Sequence, residues 1–447
     1  MDNVLEFIKS NNMIKPGEIV GVACSGGRDS MCLLHYLNSI KADNDFEVVA
    51  VNIDHGIRPN SALDTEFVMD YCKKNNIRAY KFKGEALKVA KEEGLTVEQA
   101  ARKVRYGVFE TLVNKGLVDK IALAHHLNDQ AETVILNILR GAGIHGARGM
   151  EPVRNGIYIR PLLNTPREEI MAYLDENNLE YVEDETNQDT TYSRNYIRNI
   201  IMPAFRKHFK SVDKNIVNFA SLCAKDDDFI TSQVNMDGVL TGKDIIRIPL
   251  SYFYQNESIV VRMLMKVFSK FVKQDIESKH IKMVQQFALE ARNGNVISLP
   301  NKLKVMKEYD YIAIGKIKKK DVSSNYPFRS GKLRIEGYGT IRSTSSKVLT
   351  EPKPHQHIVD SDRIPTTAEW RFRRDGDVFS PLGLNGTKKL NDYFIDKKVP
   401  KRLRDTIPVL AVDNNILIVA DIEIADEIKV TDDTIHFYKI NYEKDLI

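Results

Sequence analysis

Short apolar runs alternate with amphipathic stretches over roughly the first 200 residues, a rhythm that predicts β-α units feeding a parallel sheet. Residues 19–23, 47–53, 79–82 and 121–124 are the candidate strands. Thr96-Val97-Glu98-Gln99 has capping-box spacing and announces a helix before the last of them; Thr165-Pro166-Arg167-Glu168 opens another, with Pro at the first helical position. From about 212 to 292 the periodicity is helical, and 296–299 with 303–309 then reads as a hairpin around Pro300-Asn301. Residues 316–350 are basic and rich in Ser and Gly, with Lys318-Lys319-Lys320 and Ser343-Thr344-Ser345-Ser346, which predicts a linker or exposed strands. Residues 407–412 and 416–420 flank Asp413-Asn414-Asn415, a hairpin signal in a small β-rich unit. The predicted class is therefore α/β, with a parallel-sheet domain over 1–212, a mainly helical domain over 213–316, and a linker plus a small β-rich domain over 317–447.

A length of 447 residues agrees with two to four domains. The chain is 43% hydrophobic and 28% charged, the composition of an ordinary globular protein, which excludes collagenous and wholly disordered classes. Its 65 Lys and Arg against 61 Asp and Glu leave a formal charge of only +4, so any affinity for a polyanion has to come from local patches. Cys24, Cys32, Cys72 and Cys223 form no C-x-x-C pair, which predicts reduced thiols and argues against a zinc ribbon or an iron–sulfur scaffold. The first ten residues carry Asp2 and Glu6 and lack a signal-peptide pattern, and no apolar run approaches 18 residues. No membrane association is expected, and the cytoplasm is the expected location.

The most informative residues are Ser25-Gly26-Gly27-Arg28-Asp29-Ser30, directly after the first candidate strand and before a helix whose apolar face is Met31, Leu34 and Leu37. Two glycines permit a tight turn with positive φ and bring backbone N–H groups close to a ligand, while the helix N-terminus adds partial positive charge. Phosphate is the natural ligand. The Lys-Ser/Thr ending of the Walker loop is missing, so this is a different cradle. Asp54 and His55 follow the second strand, where open α/β sheets bind ligands, although His55 also suits a structural role. Beyond the fourth strand stands His125-His126-Leu127-Asn128-Asp129-Gln130-Ala131-Glu132-Thr133, in which Asn128 suits an N-cap and Asp129 and Glu132 suit the helix dipole.

Ser25 to Ser30 resembles the S-G-G-x-D-S loop of the N-type ATP pyrophosphatases, which cleave ATP between the α and β phosphates and leave AMP on a substrate oxygen. Within that class the chain resembles the lysidine synthetases. Asp54-His55-Gly56-Ile57-Arg58 with Ser61 and Asp64 is similar to their D-H-x-[LI]-R-x-x-S-x-x-D element, and residues 125–133 are similar to H-H-x-D-D-Q-x-E-T, except that Asn128 occupies the first Asp position. Arg140-Gly141-Ala142-Gly143 and Gly149-Met150 match R-G-x-G and G-M. Arg102 and Arg105 before Tyr106 match R-x-x-R-Y, and Arg194-Asn195 with Arg198 matches R-N-x-x-R. Downstream, Gly376-Asp377, Pro381-Leu382-Gly383, Gly386-Thr387-Lys388-Lys389-Leu390 and Asp392-Tyr393-Phe394-Ile395 look like elements of the family's C-terminal domain.

The resemblance implies a PP-loop domain of the adenine-nucleotide α-hydrolase kind, followed by two tRNA-holding domains. It implies ligation of free L-lysine to C2 of the wobble cytidine of a CAU-anticodon isoleucine tRNA, by way of an adenylated cytidine. ATP would be held by Ser25, Gly26, Gly27, Arg28, Asp29 and Ser30 with Asp54, His55 and Arg105, and the catalytic groups would be Asp129, Asp29 and Arg194. Mg²⁺ is implied on the phosphates, with Asp29 and Asp129 as candidates and no ligand assigned. Between 369 and 408 ten Lys or Arg face six Asp or Glu beside Trp370, Phe372, Tyr393 and Phe394, which predicts a surface for phosphate contacts and base stacking. The alternative within the class is a tRNA 2-thiolation enzyme, which would call for relay cysteines; outside it stands a non-catalytic RNA-binding protein. Oligomeric state is left open, a homodimer included.

Overall fold

The computed structural model describes residues 1–54, 56, 61–183, 193–272, 277–316, 324–384 and 386–445. The chain divides into two compact units, Met1–Phe229 and Ile230–Ile447.

In the first unit α1 (Asp2–Ser10) precedes β1 (Ile19–Ala23), α2 (Arg28–Ile40), β2 (Glu47–Asp54), α3 (Ser61–Lys74) and β3 (Arg78–Lys83). Then come α4 (Ala86–Glu93), α5 (Val97–Asn114), β4 (Lys120–Ala122), α6 (Leu127–Leu139), α7 (Ile144–Ala147), β5 (Val153–Arg154) and β6 (Tyr158–Ile159). Helices α8 (Arg167–Glu176), α9 (Ser193–Tyr196), α10 (Met202–His208) and α11 (Val212–Ser232) close the unit, with a π turn at Ile197–Ile201 between α9 and α10. The sheet order is β3-β2-β1-β4-β6-β5, parallel except for the β5–β6 pair. Val48 and Ala50 of β2 pack into the cluster built with α1, α2, α3 and α8, while Val49 and Val51 face Phe109 and Leu112 of α5. Both faces are therefore dry, which is why the strand reads as a continuous apolar run. The order reverses between β1 and β4, so the loops leaving their carboxyl ends flank a crevice.

The Thr96 box forms as predicted: Thr96 Oγ1 accepts from the Gln99 N–H, and Gln99 Oε1 from the Thr96 N–H. Pro166 stands one position before α8, at ψ 147°, and the first helical residue is Arg167. Its N–H is taken up by the Asn128 side chain.

The second unit begins with β7 (Leu240–Thr241), β8 (Ile245–Pro249), α12 (Glu257–Phe268), α13 (Ser278–Glu290), β9 (Val296–Ser298), β10 (Lys304–Glu308) and β11 (Tyr311–Gly315). The helices of this stretch pack on an antiparallel sheet ordered β7-β8-β11-β10-β9. The predicted hairpin is its β9–β10 pair. Next come β12 (Tyr326–Pro327), β13 (Gly331–Ile335), β14 (Gly339–Ser346), β15 (Gln356–Asp360), β16 (Glu369–Arg371), β17 (Val378–Phe379) and β18 (Lys388–Lys389). They are followed by α14 (Leu390–Asp396), α15 (Lys401–Arg404), β19 (Val409–Val412), β20 (Asn415–Val419), β21 (Glu423–Ile424) and β22 (Phe437–Lys444). The hairpin predicted at 407–420 is the antiparallel β19–β20 pair. Lys318 to Lys320 lie outside the described residues. Among the described residues no helix is long and apolar enough to cross a membrane.

One reading is corrected here. Trp370, Phe372, Tyr393 and Phe394 are 2%, 9%, 2% and 0% exposed and form the core of the C-terminal module, so these rings are not free to stack on bases. They surround the buried Arg371–Asp377 pair, two hydrogen bonds at 2.8 and 2.9 Å, with Arg371 also donating to the Phe372 and Asp413 carbonyls. A run of charge and rings in one segment contains a folded core as well as a surface.

Candidate active site

The loop after β1 is held by its own serines. Ser30 Oγ donates to the Gly27 carbonyl at 2.8 Å and accepts from the Ser25 N–H at 3.2 Å, and the two hydroxyls lie 3.4 Å apart. Gly26 sits at φ +88°, where a Cβ would be strained and only 3.3 Å from Val68 Cγ2; its carbonyl accepts from the Val182 N–H. The chain then enters α2, whose first-turn N–H groups have no intrahelical acceptors. A phosphate at this point meets both a glycine-shaped approach and the positive end of a helix.

Beside the loop is a cavity of about 290 Å³. It is lined by Ser25, Gly27, Asp29, Ser30, Arg105 and His125 together with apolar side chains that include Val51 and Phe109. An apolar lining with a few polar groups beside a phosphate-binding loop suits a purine with a phosphate tail. Arg105 has no ion pair or hydrogen bond among the described residues, and burial pushes its guanidinium down from the usual range. Burial also lowers His125 to about 4, so its ring is neutral.

The second half of the site is α6. Asp129, its third residue, accepts from the His126 N–H at 3.1 Å, and its Oδ2 lies 3.4 Å from His126 Nε2. Asp29 Oδ2 lies 3.9 Å from the same ring nitrogen, so the two carboxylates flank one imidazole. Arg198 Nη2 reaches Asp129 Oδ1 at 2.6 Å and Arg194 Nη2 at 3.3 Å. Arg198 also spans both oxygens of Glu132, which is 2% exposed. Burial alone would raise the Asp129 carboxyl, but His126, Arg194 and Arg198 outweigh it and hold the group below the usual carboxylate range. Asp29 goes the other way: burial raises it, and His126 offsets this only in part. The structure thus brings Ser25 to Gly27, Asp29, Ser30, Arg105, Asp129 and Arg194 to one crevice.

Two site candidates fall elsewhere. Arg28 stacks over Tyr181 with 5.7 Å to the ring centre. Asp54 ends β2, but its Oδ1 accepts from the Gly56 N–H at 2.8 Å, and it does not line the cavity. His55 and Arg58 lie outside the described residues. Glu132 and His126 were passed over as chemistry in the sequence, and Arg198 was given less weight than Arg194. The signal was there, as an arginine four residues after Arg194 and an acid three residues after Asp129.

Among the described residues no group of three His, Cys, Asp or Glu could hold a metal by itself. Mg²⁺ carried by phosphates needs only one or two carboxylates. Asp29 fits that role, because its Oδ1 is buried with no hydrogen-bond partner, whereas both oxygens of Asp129 are engaged.

Comparison with known proteins agrees with this geometry. Residues 2–205 match the PP-loop domain, which places the first unit among ATP-using enzymes that share this loop, and residues 368–439 match the TilS substrate C-terminal domain. The chain is 35% identical to the tRNA(Ile)-lysidine synthase of Clostridium perfringens, with 98% of each chain covered. It is 33% identical to that of Caldanaerobacter subterraneus (100% and 98% covered) and 31% to that of Bacillus subtilis (92% and 90%). The chain belongs to the tRNA(Ile)-lysidine synthase family.

Proposed function

We propose that this chain ligates free L-lysine to C2 of the wobble cytidine of a CAU-anticodon isoleucine tRNA, converting ATP to AMP and diphosphate. The observation that carries this reading is the pair of carboxylates around His126, one of which, Asp29, lines the cavity beside the phosphate loop. Ser25 to Ser30 hold the phosphates while the cytosine C2 oxygen attacks the α phosphorus and diphosphate leaves. The lysine ε-amine then forms the C2–N bond, and AMP departs with the former C2 oxygen. Lysine enters as an ammonium, given a reference pKa of about 10.4, and must lose a proton before it attacks. Asp129, ionised and anchored by two arginines, holds that ammonium; Asp29, with its raised carboxyl, is the better proton acceptor. Arg105 and Arg194 hold phosphate or the lysine carboxylate. Asp29 would hold Mg²⁺ on the ATP phosphates during adenylation, where the ion would neutralise their charge, and is free to accept the lysine proton once diphosphate has left.

In this reading 1–212 is catalytic, 213–316 and 317–447 hold the tRNA, and the enzyme works in the cytoplasm, where tRNA, ATP and lysine meet. The test combines Mg²⁺, ATP, labelled lysine and two transcripts, an isoleucine tRNA and an elongator methionine tRNA, both with CAU anticodons. Label on the first alone supports the reading; AMP formation only with a sulfur donor replaces it with thiolation. Asp129→Ala should abolish incorporation while tRNA binding persists, and retained incorporation removes Asp129 from the chemistry.

A further inference from the structure

Asn128 is the second residue of α6, 7% exposed, and stands where the family motif carries an acid. Its Oδ1 accepts from the N–H of Arg167, the first residue of α8, at 3.0 Å, and its Nδ2 donates to Asp213 Oδ1 at 3.2 Å, near the start of α11. Only a neutral side chain with one acceptor and one donor end satisfies both partners. Asp213 is committed further, because Arg206 donates to both of its oxygens at 2.7 and 2.8 Å. A carboxylate at position 128 would keep the bond to the Arg167 N–H but would face the Asp213 carboxylate in the same cluster, next to Asp129. The other charges around this pair are Arg167 and Glu168 of α8, Arg206 of α10 and Glu132 of α6.

We infer that Asn128 and Asp213 form a matched amide–carboxylate pair that positions the first turn of α8 relative to α2, the helix that leaves the phosphate loop. Asn128 is a positioning residue: it does not line the cavity, and it acts through the helix whose first N–H it holds. Ile170 and Leu174 of α8 share an apolar cluster with α2, and His35 Nδ1 of α2 lies 2.8 Å from the Tyr173 hydroxyl of α8, which couples this pair to the loop. In this chain the departure from the motif is specified by Asp213, and putting the acid back is a loss. The link to turnover rests on the ligase reading; the pair itself does not.

The test uses four full-length proteins: the parent, Asn128→Asp, Asp213→Asn and the exchange Asn128→Asp with Asp213→Asn. Thermal midpoints are taken at pH 8, together with tRNA-dependent diphosphate release against ATP concentration. Asn128→Asp should lose roughly tenfold in kcat/KM for ATP, because two carboxylates then meet with no donor between them. The exchange should recover to within about threefold, because the carboxylate it puts at position 128 can accept from both the Arg167 N–H and the amide it puts at position 213. Asp213→Asn falls between, and the midpoints follow the same order. Parental behaviour of Asn128→Asp at pH 8, or an exchange no better than that single variant, overturns the pair. Should Asn128→Asp not fold, a folded and active exchange supports the pair and an unfolded one overturns it. Restored midpoints without restored turnover refute the link to the phosphate loop. No turnover in the parent refutes the ligase reading and leaves the midpoints to judge the pair.

Discussion

Replacing Arg198 with Met removes the closest counter-charge of Asp129 and keeps most of the side chain's bulk. The contact is 2.6 Å between Nη2 and Oδ1, and the charge centres are farther apart. Two unit charges about 4 Å apart at an effective dielectric of about 20 interact by about 4 kcal/mol. The Arg198 side chain is 28% exposed, so water screens the pair, and about 2 kcal/mol is a fair share. Losing that interaction raises the pH at which Asp129 gains its proton. The sign follows from the role. In the proposed reaction Asp129 works as a carboxylate, so activity would be complete above its titration and lost as pH falls through it. In the same proposal the acid limb of the parent belongs to Asp29, whose carboxyl is raised, and the Asp129 carboxyl is lowered. In Arg198→Met the Asp129 titration climbs towards that limb, and Asp29 also loses a favourable charge. The limb of lysine ligation, measured as kcat/KM for lysine between pH 5 and 9, should therefore move upward and steepen. Arg198→Lys should hold it near the parent position. A folded Arg198→Met protein with an unmoved limb would refute both the pairing as a tuning device and the need for ionised Asp129.

Three further outcomes follow from burial and backbone geometry. Gly26→Ala places a Cβ at φ +88° and 3.3 Å from Val68, at a cost of about 1–2 kcal/mol in left-handed strain; the KM for ATP in diphosphate release should rise about tenfold, and an unchanged KM would remove the glycine argument. Trp370→Ala should lower stability by about 3–5 kcal/mol, read from denaturation, while the folded protein keeps its tRNA affinity; lost affinity at parental stability would restore a stacking role. His125 titrates at about 4 in the folded chain, against about 6.5 unfolded. Unfolding therefore takes up a proton between those values, and stability falls by about 1.4 kcal/mol per pH unit as pH drops through that window. Urea titrations at pH 7, 6 and 5 should show His125→Gln with a shallower decline, and parallel curves would contradict the burial.

The first strand is legible to the residue because Ile19–Ala23 is an apolar run bounded by a turn before and the glycine loop after. The fourth is shorter than its apolar run suggests. It leaves the ladder at Ala122, so that the following residues carry His125 and His126 into the crevice. The β7–β8 edge of the middle sheet escaped the periodicity because β7 is two residues long and β8 lies between helical stretches. At the site, the loop is local chemistry and could be read directly. Glu132 meets Arg198 across 66 positions, and Asn128 meets Asp213 across 85, so neither pairing has a local signature. The aromatic misreading has the same origin: Trp370 and Phe394 look alike in sequence whether they face RNA or a core, and only packing separates the two.

Two acids on one crevice would ordinarily suppress each other's ionisation, yet here each receives its own environment from the element that carries it. Asp129 is the third residue of a helix, where the backbone and the two arginines of the α9 and π-turn segment stabilise its charge. Asp29 stands in the first turn of α2 with its Oδ1 buried and unpartnered, so it gains less from the helix end than it loses to burial. Separation of the two proton affinities is what a reaction needs when one group must hold a cation and another must take its proton. Glu132 is the part that makes this stable, since without it Arg198 would carry a single salt bridge and be freer to leave. The loop, the acid pair and the arginine clamp therefore function as one charge arrangement, in which moving any member changes the titration of the others before it changes the shape of the cavity.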